Sequence, residues 1–306
     1  MNEPSATAPR SSDPATSEHW PRHCAALLRE RYGEKVCAIL LYGSFLRGKR
    51  DTVLDFYVLL DDYTTLSSRC AALGNRLLPP NVYHLLTTVD GAECAAKYAT
   101  VTLRQFEYAI RYDTHVYFWA RFAQTFAIVY ARDAAIEARL DAAGRAACRR
   151  MIAATLGMLP ERFTTTELWQ RAFALTYSSE LRSENQARVA ELDAAYEGHL
   201  ETMTAQLATE FGLVSCGPQC WSYRSSARAR WRAAWTWRLR RGIGKLLSVL
   251  RLGKAAFTFN DPLDYVLWKV ERHSGIHVEP TALQRRHPLL FAWPLLWRLY
   301  RRGGFR

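Results

Sequence analysis

Acidic residues are scarce in the last third of the chain: from Trp221 to Arg306, four Asp and Glu stand against eighteen Lys and Arg. The formal net charge of +12 therefore belongs to that segment, and the preceding residues sum to about −2. Seven of the ten tryptophans fall in the same segment. Its most apolar stretch, Pro288 to Tyr300, is too short for a bilayer and is interrupted by Pro294, which excludes a spanning helix there. The first twenty residues have no apolar run and carry Glu3, Asp13 and Glu18 beside Arg10, a pattern of neither a secretory signal nor a transit peptide. They read as the flexible tail (1–20) of a cytoplasmic protein. The seven cysteines have no metal-ligand spacing, Cys216 and Cys220 being the closest pair. Their odd number argues against a disulfide framework, so reduced thiols are expected. No internal repeat is visible.

What is present is enough apolar residue, 49% of 306, for one large core or two modest ones. Residues 21–32 show helical spacing after a proline start. Residues 35–44 and 52–60 are compact apolar runs, with 81–89 and 96–102 as weaker strands. Four strands in this space predict an α/β (α+β) mixed sheet domain over 21–102. From Leu103 the periodicity turns helical, including the whole of 103–130, with Thr164 to Thr166 as candidate N-caps further on. This predicts a helical domain over 103–220 and a basic, Trp-rich region over 221–306.

The stretch LLYGSFLRGKRDTVLDFYVLLDD, residues 40–62, places a Gly-Ser turn eleven residues before an aspartate that opens an apolar strand. Nucleotidyltransferases of the polymerase-β-like fold have this pattern, and the chemistry accounts for its parts. A glycine lets the backbone approach a triphosphate, a serine hydroxyl bonds its oxygens, and a strand-end carboxylate holds Mg²⁺. An ordinary turn followed by a strand-capping aspartate is the plainer alternative. The second acid that usually follows two residues later is absent, because Tyr57 stands there. Asp61 lies about 20 Å along a continuous strand, too far to share a metal with Asp55. Asp90, at the end of a neighbouring strand, is the candidate second ligand, against its reading as a turn residue.

Several blocks in order resemble the mitochondrial-type phosphatidate cytidylyltransferases, also known as the mitochondrial translocator assembly and maintenance family. They are Tyr42-Gly43-Ser44, Leu54-Asp55-Phe56 with Asp61-Asp62, NVYHLL, KYATV with Lys97 and Tyr98, and VYFWARF with Tyr117 and Arg121. LPERFTTTELWQRAFALTYSSELR, with Pro160, Glu161, Tyr177, Ser178 and Arg182, completes the set. The chain departs from the family at Phe45 and Gln124, and its Ala and Arg content suggests a bacterial relative. The resemblance implies a polymerase-β-like sheet domain and Mg²⁺-dependent transfer from CTP to phosphatidate, giving CDP-diacylglycerol and pyrophosphate. By the same likeness Tyr42, Gly43, Ser44 and Arg121 bind nucleotide, Asp55 and Lys97 serve catalysis, and Asp55 holds the metal, with Asp90 the candidate second ligand from its strand-end position alone. For Lys97 and Arg121 the ordinary alternative is a solvated surface charge.

Residues 227–257 place Trp231, Trp235, Leu239, Leu246 and Leu250 at near-helical spacing among Arg and Lys, as in an interfacial helix on anionic lipid. Trp231, Trp235, Arg238 and Arg241 are the candidate membrane residues, and the expected location is the inner face of a membrane, peripherally bound. The alternative is a helix packed on the core through its Trp face. Two other functional readings stand beside the lipid enzyme: a nucleotidyltransferase acting on a soluble or RNA acceptor, and a non-catalytic nucleotide- or lipid-binding homologue. Nucleic acid is not the expected partner.

Overall fold

The computed structural model describes residues 19–49, 52–64, 69–89, 91–179, 186–258, 280, 281 and 294. Helix α1 (Trp20–Tyr32) leads into β1 (Val36–Tyr42) and β2 (Leu54–Leu60). After α2 (Arg69–Leu77) come β3 (Asn81–Val89) and β4 (Ala92–Thr102), then α3 (Leu103–Tyr112), the short α4 (Trp119–Phe122) and β5 (Ala127–Ala131). The five strands form one mixed sheet in the order β3-β4-β2-β1-β5, antiparallel throughout except for the parallel pair β2–β4. The α/β mixed-sheet expectation is met, with all four predicted strands present.

One helical reading needs correction. The segment 103–130 is not one helical run: it stops at Asp113 and ends in β5, which pairs with β1 as the fifth strand. Ile128, Val129 and Tyr130 favour extended backbone, and the open edge of β1 supplies the hydrogen bonds that decide it. The later helices α5 (Ala134–Thr155), α6 (Thr165–Tyr177) and α7 (Gln186–Phe211) are joined by a second sheet of β6 (Arg162–Thr164), β7 (Val214–Gly217) and β8 (Cys220–Ser222). Of the three candidate caps, Thr164 starts α6, in a reciprocal capping box with Glu167. Cys216 and Cys220 are disulfide-bonded across the β7–β8 hairpin, not reduced as expected; Cys24, Cys37, Cys94 and Cys148 are free and buried. Their Cα atoms are 5.2 Å apart, a separation a bond can span even where a cysteine count argues against it.

Alternation along the strands sorts the sheet into two faces. Leu54, Phe56, Val58 and Leu60 of β2 pack with Cys24, Leu28 and Tyr32 of α1. Tyr57 and Leu59 face the helical layer, where Phe106, Trp119, Phe122, Leu140 and Trp169 continue one core. The last described helix, α8 (Ala227–Thr258), lies on that layer. Trp237 is fully buried, donating Nε1–H to the Ala154 carbonyl at 2.8 Å, and its ring meets Trp119 edge-on. Two glycines set the close approach of α8. A Cβ on Gly157 would come 2.7 Å from the Ala233 Cβ, and one on Gly244 would come 2.0 Å from the Ser179 carbonyl oxygen. Gly244→Ala is therefore expected to destabilise the fold by about 3 kcal/mol, the upper end of the usual cost of forced overpacking. Gly242→Ala, where an added Cβ meets nothing within 4 Å among the described residues, should leave stability unchanged or raise it by about 0.5–1 kcal/mol. Urea denaturation of the two variants side by side checks the contrast; equal effects would contradict this docking.

Candidate functional site

Strand register builds the site. Tyr42 of β1 pairs with Asp55 of β2, and Asp55 pairs with Lys97 of β4. Cross-strand partners share a face, so these three residues form a row on the helix-covered side of the sheet. Asp55 is the one residue of β2 that is not buried, which answers why a carboxylate opens a core strand: it stands where the helical layer leaves a cleft. The β1 chain leaves the sheet at Gly43 with φ +92°, and a Cβ there would sit 2.9 Å from Asp55 Oδ2. Only glycine combines that backbone with that proximity. Ser44 opens a 3-10 turn over Phe45–Arg47, and its hydroxyl shares a 2.8 Å hydrogen bond with that of Thr52.

The cleft is lined by Tyr42, Gly43, Ser44, Arg47, Asp55 and Lys97 from the sheet side, and by Tyr117, Arg121, Gln124, Thr125, Thr176 and Tyr177 from the helical layer. Its charged lining residues are Arg47, Lys97, Arg121 and Asp55, three positive charges around one negative. Arg121 sits with its guanidinium carbon 4.8 Å from the Tyr42 ring centroid and 5.2 Å from that of Tyr117. Stacking on two rings holds a planar cation in place at small entropic cost. The structure thus brings Tyr42, Gly43, Ser44, Asp55, Lys97 and Arg121 to one place. Trp231, Trp235, Arg238 and Arg241 stand apart on α8 and do not line the cleft. Asp90 and Arg182 lie outside the described residues.

Sequence reading missed Arg47. It follows Ser44 by three residues, and the 3-10 turn brings it to the cleft wall, where Nη1 donates to the Tyr196 hydroxyl at 2.9 Å and the buried Nε has no hydrogen-bond partner among the described residues. The signal was there, an arginine inside the Gly-Ser loop, but its direction needed the turn geometry. Tyr98, matched by the resemblance, has its side chain on the opposite face, bonded by Arg31 and Tyr32 through its hydroxyl. Asp61 and Asp62 are engaged elsewhere, with Arg132 at 2.6 Å and Lys35 at 2.8 Å, and these cations hold both carboxyls below their usual range. Tyr57, in the place of the second acid, is fully buried among Tyr42, Phe118 and Phe122. Burial pushes its phenol well above the ordinary range, so it stays neutral and does not replace a carboxylate.

Among the described residues no three His, Cys, Asp or Glu side chains cluster as a metal site. A single carboxylate still suits Mg²⁺, which commonly takes one or two protein carboxylates and completes its shell with substrate phosphates and water. Gly43 keeps the space beside Asp55 Oδ2 clear of any side chain, as such a shell requires.

Behind the cleft wall, His115 is buried with Nδ1 accepting the Tyr117 backbone N–H at 3.3 Å. Burial, aided by the Arg251 charge, lowers its pKa to about 3. The folded ring stays neutral while the unfolded chain takes a proton below about 6.5. Its contribution is fully present above that pH and is lost as pH falls toward 3. By pH 4.5 the loss should reach about 2–3 kcal/mol. His115→Asn, which keeps an acceptor for Tyr117, should flatten the stability profile between about pH 6.5 and 4.5; an unchanged slope would contradict the assignment.

No family model and no curated protein matches the sequence. A crystal structure of a nucleotidyltransferase-like protein from Exiguobacterium sibiricum 255-15 is similar over 92% of each chain, at 10% identity and a TM-score of 0.28. At that distance the reading of the cleft rests on this chain's own residues.

Proposed function

We infer that the chain is a nucleotidyltransferase that moves the cytidylyl group of CTP to the phosphate of phosphatidate, releasing pyrophosphate, at an anionic membrane surface. The observation that carries the reading is the cleft lining: Arg47, Lys97 and Arg121 around Asp55, beside a Gly43 with no room for a side chain. An excess of positive charge around one acid suits a polyphosphate bound with a divalent cation. Asp55 would hold Mg²⁺ there, and the bound ion would neutralise charge on the phosphates. An acceptor phosphate oxygen attacks the α-phosphorus in line; the new P–O bond forms as the bond to the β-phosphate bridging oxygen breaks, and the electron pair leaves with pyrophosphate. Arg47, Lys97 and Arg121 bind the phosphates and offset the negative charge gathering on the leaving group. The acceptor is already an anion, so no strong general base is required.

The lipid acceptor is supported by the outer face of α8. Trp231, Trp235, Leu239, Leu246 and Leu250 are between 50% and 63% exposed, and on a helical wheel they fall within about 100° of arc. Arg238 stacks on Trp235, and Arg241 and Lys245 are exposed nearby. Cations beside a Trp and Leu stripe match an anionic lipid surface. An RNA acceptor would use the tryptophans for stacking but would leave three leucines facing water. No described helix is long and apolar enough to cross a membrane.

Incubation of the full chain with phosphatidate vesicles, Mg²⁺ and labelled CTP, ATP, GTP or UTP tests the reaction. Label entering the lipid from CTP alone is expected. Nucleotide binding without lipid labelling would move the acceptor to a soluble molecule or RNA, and absence of nucleotide binding would overturn the transferase reading.

A further inference from the structure

We propose that Arg251, on α8, is a positioning residue for the nucleotide cleft, acting through Tyr117 on Arg121. The inference rests on the cleft being a nucleotide site. Arg251 is the inward neighbour of Leu250, the last described residue of the exposed stripe, and its side chain reaches the loop before α4. Its Nε–H donates to the Pro79 carbonyl at 3.1 Å and Nη1 donates to His115 Nδ1 at 3.4 Å. Those bonds place its guanidinium carbon 4.3 Å from the Tyr117 ring centroid. The His115 ring stacks on the same tyrosine, with centroids 6.1 Å apart at 24°. Tyr117 is thus gripped by α8 on one hand and is one of the two rings that seat Arg121 on the other.

The geometry has a chemical consequence. Arg121 meets a phosphate in the direction its two rings allow, and Arg251 and His115 hold the Tyr117 ring on one side while Phe118 packs against it edge-on. Four side chains in series, Arg251, Tyr117, Arg121 and Tyr42, connect the inner face of α8 to the strand that carries the Gly43-Ser44 loop. The tight seat of Gly244 on the Ser179 carbonyl, with His115 Nε2 3.5 Å from an added Cβ, keeps α8 at the depth this series requires. Arg251 touches neither phosphate nor metal in this scheme; it sets the direction of a residue that does.

The test is the Kd of Mg-CTP, by calorimetry on the full chain, for the unmodified protein, Arg251→Ala, Arg251→Lys, Tyr117→Leu and the double variant. Arg251→Ala should weaken binding about tenfold, in line with a lost desolvated cation–π contact. Arg251→Lys, which keeps a cation over the ring, should recover most of the loss. The double variant should bind no more weakly than Tyr117→Leu alone, because Arg251 works through that ring. Losses that multiply in the double variant, or an Arg251→Ala protein that binds as tightly as the unmodified one, would overturn the inference. A purely structural role would lower the melting temperature of Arg251→Ala and Arg251→Lys alike while leaving their Kd values together. If the unmodified protein does not bind Mg-CTP, the reading of the cleft falls first; if it binds Mg-CTP and the variants do not differ, only the role of Arg251 falls.

Discussion

Asp55→Asn should reduce nucleotidyl transfer by at least about 10³-fold while leaving the protein folded. The replacement is isosteric, and Asp55 is the partly exposed residue of an otherwise buried strand, so no core packing is lost. What changes is charge. The cleft goes from three positive charges around one negative to three positive charges alone. Nucleotide affinity without Mg²⁺ should therefore hold or rise, and the enhancement of binding by Mg²⁺ should vanish. Calorimetric titration of CTP with and without Mg²⁺, beside a transfer assay, separates these effects. Normal turnover by Asp55→Asn would sink the assignment of the carboxylate, and unchanged Mg²⁺ dependence would remove it from the metal.

The second large effect is expected at the outer face of α8. Trp231→Ala with Trp235→Ala should weaken binding to phosphatidate-containing vesicles by at least about 100-fold. The two rings lie 5.8 Å apart and are 63% and 51% exposed, so each has apolar area to bury in the headgroup region, worth about 2 kcal/mol apiece. Because neither ring touches the cleft, the double variant should bind CTP as the unmodified protein does. Sedimentation with vesicles at two salt concentrations is the measurement. Attachment should also weaken with salt, since Arg238, Arg241 and Lys245 contribute charge at the surface. Retained vesicle binding by the variant would contradict the interfacial face.

Much of the sheet could be read from the chain directly. The Gly43-Ser44 turn and the carboxylate of Asp55 are separated by a short loop, and both flanking strands are continuous apolar runs, so local pattern sufficed. The strand β5 escaped notice because AIVYA follows amphipathic sequence and has no turn signal of its own; the open edge of β1 gives it its state. Arg47 was hidden for a different reason. Its residue type was visible, but its side chain joins the cleft only because the 3-10 turn folds back and α7 supplies Tyr196 as a hydrogen-bond partner.

By itself the sequence determined the strand-borne acid, the loop that faces it and the basic, tryptophan-rich end, because each depends on neighbours a few residues apart, while Lys97 stood out only through the family likeness. Only the tertiary structure decided which of those groups meet. Asp55 and Lys97 become neighbours through the parallel pairing of β2 with β4, a choice made by the whole strand order. Likewise the spacing of Trp231, Trp235 and Leu239 is equally good for facing inward or outward. The rotation of α8 is settled by Ala233 against Gly157, Gly244 against Ser179 and Trp237 in the core, contacts between residues 65 or more positions apart. Close packing is a property of surfaces brought together, and a one-dimensional pattern fixes which faces exist without fixing which of them finds a partner.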